Sequence, residues 1–228
     1  MQDLIISMST IPTRLFNIKH AIDSLLGKGV KVYVFIPKFF KRGNIKFNGK
    51  LPAFLKNNNS INVEVVDDCG PITKLIYALD IADKIITVDD DNVYGKDLVN
   101  NFLKYHNKYP GAALCSSGVR LTNGKYKLSG KVKNIDRPVD IVLGCHGVFY
   151  KSDFFTDFIY KFNDYYPAYY VDDIWISGNL AKNGIDRRCV PVSPLFINKQ
   201  IKYVDCLATQ NKKNDNNNRV IKKFKKFW

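Results

Sequence analysis

The run Lys84-Ile85-Ile86-Thr87-Val88 passes directly into Asp89-Asp90-Asp91. A short β-branched run without polar alternation reads as a strand buried on both faces. Three adjacent carboxylates at its end repel one another unless solvated or joined by a cation. In extended backbone Asp89 and Asp91 point to the same side, so their hard oxygens can hold one divalent cation. A Mg2+ or Mn2+ held this way keeps open positions for pyrophosphate oxygens. Taken alone, the tripeptide also reads as a polar loop with an Asp capping the next helix.

Outward from that strand the same alternation repeats. Leu4 to Ser7, Val32 to Ile36, Ile61 to Val66 and Gly111 to Cys115 are further apolar strands. Between them, Leu15, Ile18, Ile22, Leu25 and Leu26 fall at helical spacing. Pro71 opens a helix through Leu79, and Leu98, Phe102 and Tyr105 mark another. Strands alternating with helices predict an α/β domain: a mixed, mostly parallel sheet flanked by helices. In such sheets the ligand sits beyond the carboxyl ends of the strands. The second half is less regular. Asn123-Gly124 signals a hairpin turn, and Val139 to Leu143, Val148 to Tyr150 and Cys189 to Val192 read as strands. Helices are expected over Ser152 to Phe162 and Asp172 to Lys182.

The chain has 228 residues and 46% hydrophobic side chains, enough for one large domain with a core. We assign that domain to residues 1–205 and a basic, Asn/Lys-rich tail to 206–228. No apolar stretch is long enough to cross a bilayer. The N-terminal segment, with Asp3 and polar Ser7, Ser9 and Thr10, does not read as a signal peptide, so a cytoplasmic protein is expected. The five cysteines (Cys69, Cys115, Cys145, Cys189, Cys206) lack a CxxC spacing and read as reduced, mostly buried thiols. Net charge is +14, and residues 211–228 alone carry seven basic residues against Asp215. Such a balance suits an anionic partner without choosing one. In the tail, Val220, Ile221, Phe224, Phe227 and Trp228 share one helical face among lysines, a pattern that can lie in a membrane interface.

Three more pieces follow strands or open helices. Ser9-Thr10-Ile11-Pro12-Thr13-Arg14 gathers hydroxyls and a guanidinium at a helix start, suited to a ribose, base or phosphate. Asp67-Asp68-Cys69-Gly70-Pro71-Ile72-Thr73-Lys74 enters a helix whose free N–H groups suit an anion. Lys74 there opposes the helix dipole unless a negative group is near. Val171-Asp172-Asp173-Ile174-Trp175 puts two acids at a helix start, stabilising in any case and fit to supply a general base. The preceding Tyr165-Tyr166-Pro167-Ala168-Tyr169-Tyr170 offers rings on which sugars pack. Each piece alone also reads as an ordinary cap, surface lysine or core aromatic.

Together, in this order, the four pieces resemble the GT-A (Rossmann-like) nucleotide-sugar glycosyltransferases, from about Leu4 to about Val192. Asp89-Asp90-Asp91 matches the DxD motif, and Val171-Asp172-Asp173 stands in place of xED. The small size is similar to that of compact viral and bacterial members. The resemblance implies a metal-dependent, inverting transfer from a nucleoside diphosphate sugar, a UDP-sugar favoured, to a hydroxyl of a glycan or glycoconjugate. It implies Asp91 as main ligand of Mn2+ or Mg2+, with Asp89 on the donor or the metal. Asp173 is then the catalytic base and Asp172 the acceptor contact. Thr10, Ile11 and Arg14 line the nucleotide pocket, with Asp68, Lys74 and Asp90 beside it. Leu143-Gly144-Cys145-His146-Gly147 resembles the loop under the donor sugar, which makes Gly144 and His146 candidates. Many members add a histidine ligand after xED; here none follows His146, leaving Asn198, Asp205 or water. Two other classes stay open: a nucleotidyltransferase, although Met8 to Leu15 lacks the glycine such enzymes use, and a nucleic-acid-binding or inactive sugar-nucleotide-binding protein. No nucleic-acid recognition motif is present, so no nucleic acid is expected.

Overall fold

Four of the apolar runs lie side by side in one sheet. In a computed structural model, which describes residues 2–192, 195–197, 211 and 214–228, the strands run in chain order as follows. They are β1 Gln2–Ser9, β2 Lys31–Pro37, β3 Phe39–Phe40, β4 Ile45–Lys46, β5 Ile61–Val66, β6 Ala82–Asp89, β7 Asn92–Tyr94 and β8 Ala112–Cys115. After these come β9 Ser117–Val119, β10 Lys131–Lys133, β11 Arg137–Pro138, β12 Ile141–Val142, β13 Val148–Lys151, β14 Asp186–Cys189 and β15 Leu195–Ile197. The helices are α1 Lys19–Leu25, α2 Ala53–Lys56, α3 Thr73–Ile76, α4 Leu98–Lys108, α5 Asp172–Lys182 and α6 Asn216–Lys223.

The main sheet has the order β11-β14-β8-β13-β6-β1-β2-β5. β6, β1, β2 and β5 are mutually parallel, and β14 is parallel to β8. β13 runs antiparallel between β6 and β8 and makes the sheet mixed. Side chains alternate across it. Ile5 and Ile85 face a core built with Leu75, Trp175 and Phe224; Ile6 and Ile86 face another built with Ile22, Leu98 and Phe102. The architecture is a single α/β domain with a Rossmann-like, mostly parallel sheet covered on both faces. No helix among the described residues is long and apolar enough to cross a membrane.

Several elements differ from their predicted bounds. The helix expected from Leu15 begins at Lys19, because Arg14 N–H bonds Ile11 O and Asn17 N–H bonds Arg14 O in two successive tight turns. Leu15 and Ile18 are nevertheless buried, which is what their spacing recorded. The helix expected over Ser152 to Phe162 is two 3-10 segments, Ser152–Phe154 and Asp157–Asp164, separated at extended Thr156. Ile159 and Phe162, three residues apart, eclipse on such a helix and bury together. The strand expected over Cys189 to Val192 is Asp186–Cys189. Its parallel partner β8 ends at Cys115, so the pairing stops there.

The tail is the largest departure. α6 turns Val220, Ile221 and Phe224 into the core against α5. The Phe224 ring lies 5.2 Å from Trp175 and 6.2 Å from Phe158, centroid to centroid. Much of the apolar face that reads as a membrane-binding surface is therefore covered by the domain itself. Lys222, Lys223, Lys225 and Lys226 remain exposed. Cys69, Cys115, Cys145 and Cys189 are free thiols. Asn198, Asp205 and Cys206 lie outside the described residues.

Candidate active site

The site is assembled at the carboxyl ends of β1, β2, β5 and β6. Register does the first part: β1 and β6 pair with Ser9 opposite Asp89, so Thr10 and Asp90 leave the sheet side by side. The Thr10 hydroxyl donates to Asp90 Oδ2 at 2.6 Å, and Arg14 Nη1 donates to Asp90 Oδ1 at 3.0 Å. Asp90 is buried, and that burial pushes its pKa up to about 6 despite the opposing Arg14 charge and Thr10 bond. The tight turns after Ile11 are what bring Arg14 back onto this carboxylate.

Lys74 is the second element. A 3-10 turn, Gly70–Ile72, leads into α3, and the side chain of Lys74 is only 6% exposed. Its Nζ lies 2.6 Å from Asp89 Oδ1 and 3.2 Å from Asp172 Oδ2. Burial alone would lower the pKa of this ammonium. The charges of Asp172, Asp89 and Asp173 outweigh it and hold the lysine well above its ordinary range. The unfavourable place of a cation in a first helical turn is thus offset by three carboxylates.

Asp172 and Asp173 open α5. Gly144 N–H donates to Asp173 Oδ1 at 2.8 Å, and Ser177 Oγ both donates to Asp173 O at 2.6 Å and accepts from Val142 N–H. Burial, then the Asp172 charge, raise the Asp173 pKa well above the usual carboxylate range, against Lys74 and the Gly144 amide.

These groups line one cavity of about 250 Å³. It brings together Thr10, Ile11, Arg14, Asp68, Lys74, Asp89, Asp90, Asp91, Asp172 and Asp173. Gly144 borders it: a Cβ there would stand 2.9 Å from Asp173 Oδ1 and 3.1 Å from Lys74 Nζ. His146, a candidate for contact with the donor sugar, is not among the lining residues. Gly144–His146 is a single 3-10 turn, which rotates successive side chains by roughly 120°; Cys145 reaches the cavity and His146 turns away. Burial and the nearby Lys133 and Lys131 lower the His146 pKa to about 4.

Asp68 lines the cavity and also braces its rim. Its carboxylate accepts from Lys41 N–H, Gly70 N–H and the Tyr169 hydroxyl at 2.8, 2.8 and 3.0 Å. It ties three loops at the cavity rim. Gly70 is at φ +73°, and a Cβ there would meet Tyr169 O at 2.6 Å. Phe40, Arg42 and Tyr169 also line the cavity; sequence reasoning named neither Phe40 nor Arg42, and offered Tyr169 only among rings on which sugars pack. Phe40 and Arg42 come from the β3–β4 hairpin, where the paired aromatics Phe39-Phe40, two residues past Pro37, were the available signal.

Six carboxylates and three cations (Arg14, Arg42, Lys74) line the cavity, on a chain of net charge +14. The carboxylates outnumber the cations, so added positive charge would suit the site. Among the described residues no group of three or more His, Cys, Asp or Glu side chains could hold a metal ion. The donors on offer are Asp91 and Asp89, with Asn92 Nδ2 orienting Asp91 Oδ1 at 2.9 Å. Two carboxylates suit a Mg2+ or Mn2+ that takes its other ligands from phosphate and water. Compared with known proteins, the chain matches no family model and no curated sequence.

Proposed function

We propose that this protein is a glycosyltransferase of the GT-A class. It moves a sugar from a nucleoside diphosphate, a UDP-sugar favoured, to an acceptor hydroxyl with the help of Mn2+ or Mg2+. One observation carries the reading. The strand-end acids Asp89 and Asp91 and the helix-start acids Asp172 and Asp173, some eighty residues apart in sequence, converge on one cavity with Lys74 between them.

The work of each residue follows from its setting. Thr10, Ile11 and Arg14 line the end of the cavity at β1, suited to the nucleoside. Asp91 and Asp89 would hold the cation, which when bound neutralises charge on the departing diphosphate. Lys74 supplies a buried ammonium beside the same phosphates once they draw it from Asp89. Asp173 has a raised proton affinity and one oxygen fixed by Gly144 N–H, leaving Oδ2 to take the acceptor proton. Attack on the face opposite the leaving group inverts the anomeric centre. An assay that finds retained configuration would sink that part.

The reading is tested by thermal stabilisation with UDP, GDP, CDP and TDP, each with and without Mn2+, on the wild type and Asp91→Ala. Ligand at about a hundredfold over its Kd stabilises by about 2.7 kcal/mol. A manganese-dependent shift with one nucleotide, lost in the variant, is the expected result. No shift with any nucleotide overturns the reading.

A further inference from the structure

A second cavity, of about 310 Å³, lies beside the first and shares Arg42 and Tyr169 with it. Its other lining residues are Lys41, Asn163, Tyr166 and Tyr170. One wall is the 3-10 turn Lys41–Gly43 between β3 and β4; another is the 3-10 segment Tyr166–Tyr170 just before α5. The two cavities have opposite characters. The first is rich in carboxylates. The second has no carboxylate among its lining residues, and two cations, one amide and three phenols instead.

The tyrosines form a built surface. Tyr169 is anchored through its hydroxyl to Asp68. Tyr170 packs edge-on against both Tyr169 and Tyr166 with ring centroids 5.1 Å apart, and the Tyr166 and Tyr170 hydroxyls share a hydrogen bond of 2.8 Å. Tyr166 is 65% exposed, a large apolar ring left in water that no fold requirement explains. Ring faces of this kind take the C–H faces of pyranoses, and phenols bond their hydroxyls. Arg42 adds a second observation. Its Nη1 is buried without a hydrogen-bond partner, a state that an arriving acceptor would relieve. A carboxylate or phosphate on the ligand is the acceptor that best satisfies a guanidinium.

We infer that this groove binds an anionic carbohydrate, its rings on Tyr166 and Tyr170 and its carboxylate or phosphate on Arg42 and Lys41. Because the groove shares Arg42 and Tyr169 with the cavity that Asp172 and Asp173 line, its occupant is the acceptor glycan. That last assignment rests on the glycosyltransferase reading; the class of saccharide does not.

Saturation-transfer NMR with the full-length protein tests both. The probes are uronate-containing and phosphorylated oligosaccharides, each beside its methyl-esterified or dephosphorylated counterpart. The acidic forms are expected to bind about tenfold more tightly than the neutral ones, and Lys41→Gln and Tyr166→Ala each to weaken them about three- to tenfold. Both residues lie outside the first cavity, so nucleotide binding with Mn2+ should be unchanged in both variants. Equal binding of neutral and acidic forms overturns the inference, as does no binding of any acidic probe at millimolar concentration. A loss of nucleotide rather than saccharide binding in Tyr166→Ala also overturns it, giving the groove to the donor. Acidic saccharides that bind a protein which ignores every nucleotide would uphold the groove while the glycosyltransferase reading fails.

Discussion

The backbone N–H of Gly144 donates to Oδ1 of Asp173 across 2.8 Å, and the Gly144 Cα stands where a methyl group has no room. An alanine Cβ would lie 2.9 Å from that oxygen and 3.1 Å from Lys74 Nζ. Neither can retreat freely, since Asp173 begins a helix bonded through Ser177 and Lys74 is held by Asp89. Gly144→Ala is therefore expected to shift both groups by several tenths of an ångström while leaving the fold intact. Misplacement of about 1 Å costs on the order of a hundredfold in rate. The check is transfer or donor-hydrolysis activity alongside melting temperature: activity down at least tenfold with a Tm near wild type. Unchanged activity would mean that Asp173 does not act from this position.

Lys74 makes a different demand, because three carboxylates depend on it. Removing one partner of a buried ion pair costs about 3–5 kcal/mol; Asp89 is partly exposed, so the lower end applies. Lys74→Met should lose about 3 kcal/mol in urea unfolding at pH 7. The sign with pH follows from Asp173, whose pKa is raised in the folded state and rises further without the lysine. A group that binds its proton more tightly when folded gives stability at low pH and loses it as pH rises. The deficit of the variant should thus shrink between pH 7 and pH 5. A deficit that grows on acidification would contradict the charge arrangement.

How much of this was legible beforehand depends on whether the signal was local. Ile85 to Val88 is β-branched and buried on both faces, so the strand and the acids at its end could be read directly. The start of α5 was equally plain, because Asp172 and Asp173 favour a helix N-terminus by local electrostatics. Tyr169 on Asp68 could not be read. It joins residues 101 apart, and nothing near either one announces the other. His146 misled for the opposite reason: it is next to the residues that matter, but one turn of 3-10 winding sets its direction. The tail misled because amphipathicity identifies an apolar face without saying what covers it. Here the covering surface is α5.

Asp90 gives a pH dependence of its own. Its carboxyl ordinarily titrates near 3.8 and in the fold near 6, with burial the main cause. The folded state therefore holds this proton more tightly. Stability from the group is full below about pH 4 and is lost as pH rises to about 6, a change on the order of 3 kcal/mol. Asp90→Asn, which keeps the shape and removes the titration, should melt at a temperature closer to wild type at pH 4 than at pH 7 and gain on it as pH rises. Parallel Tm curves for the two proteins from pH 4 to pH 7 would show that Asp90 is not the buried titrating group.

α6 sits on α5 only because position 178 has no side chain. A Cβ at Gly178 would lie 2.3 Å from Cδ2 of Phe224 and 2.5 Å from its Cε2, and Phe224 in turn stacks edge-on against Trp175. Overpacking of this size costs about 1–3 kcal/mol when the neighbours cannot yield. The ring must move and carry the helix with it, against the burial of Val220 and Ile221 and the hydrogen bonds of Tyr126 N–H to Asn218 and of the Tyr165 hydroxyl to Arg219 O. Gly178→Ala is expected to lower Tm and to speed tryptic cleavage at Arg219, Lys222 and Lys223. It should also raise binding to anionic liposomes, because Val220, Ile221 and Phe224 then face solvent beside four lysines. Phe224→Ala separates the causes. It makes a cavity of about 3 kcal/mol or more and frees the tail in the same way, but removes the ring a membrane would take. If liposome binding rises in Gly178→Ala and not in Phe224→Ala, the released apolar face is what binds. If proteolysis at the tail is unchanged in both, α6 is held by more than this one contact, and the Gly178–Phe224 fit is not what seats it.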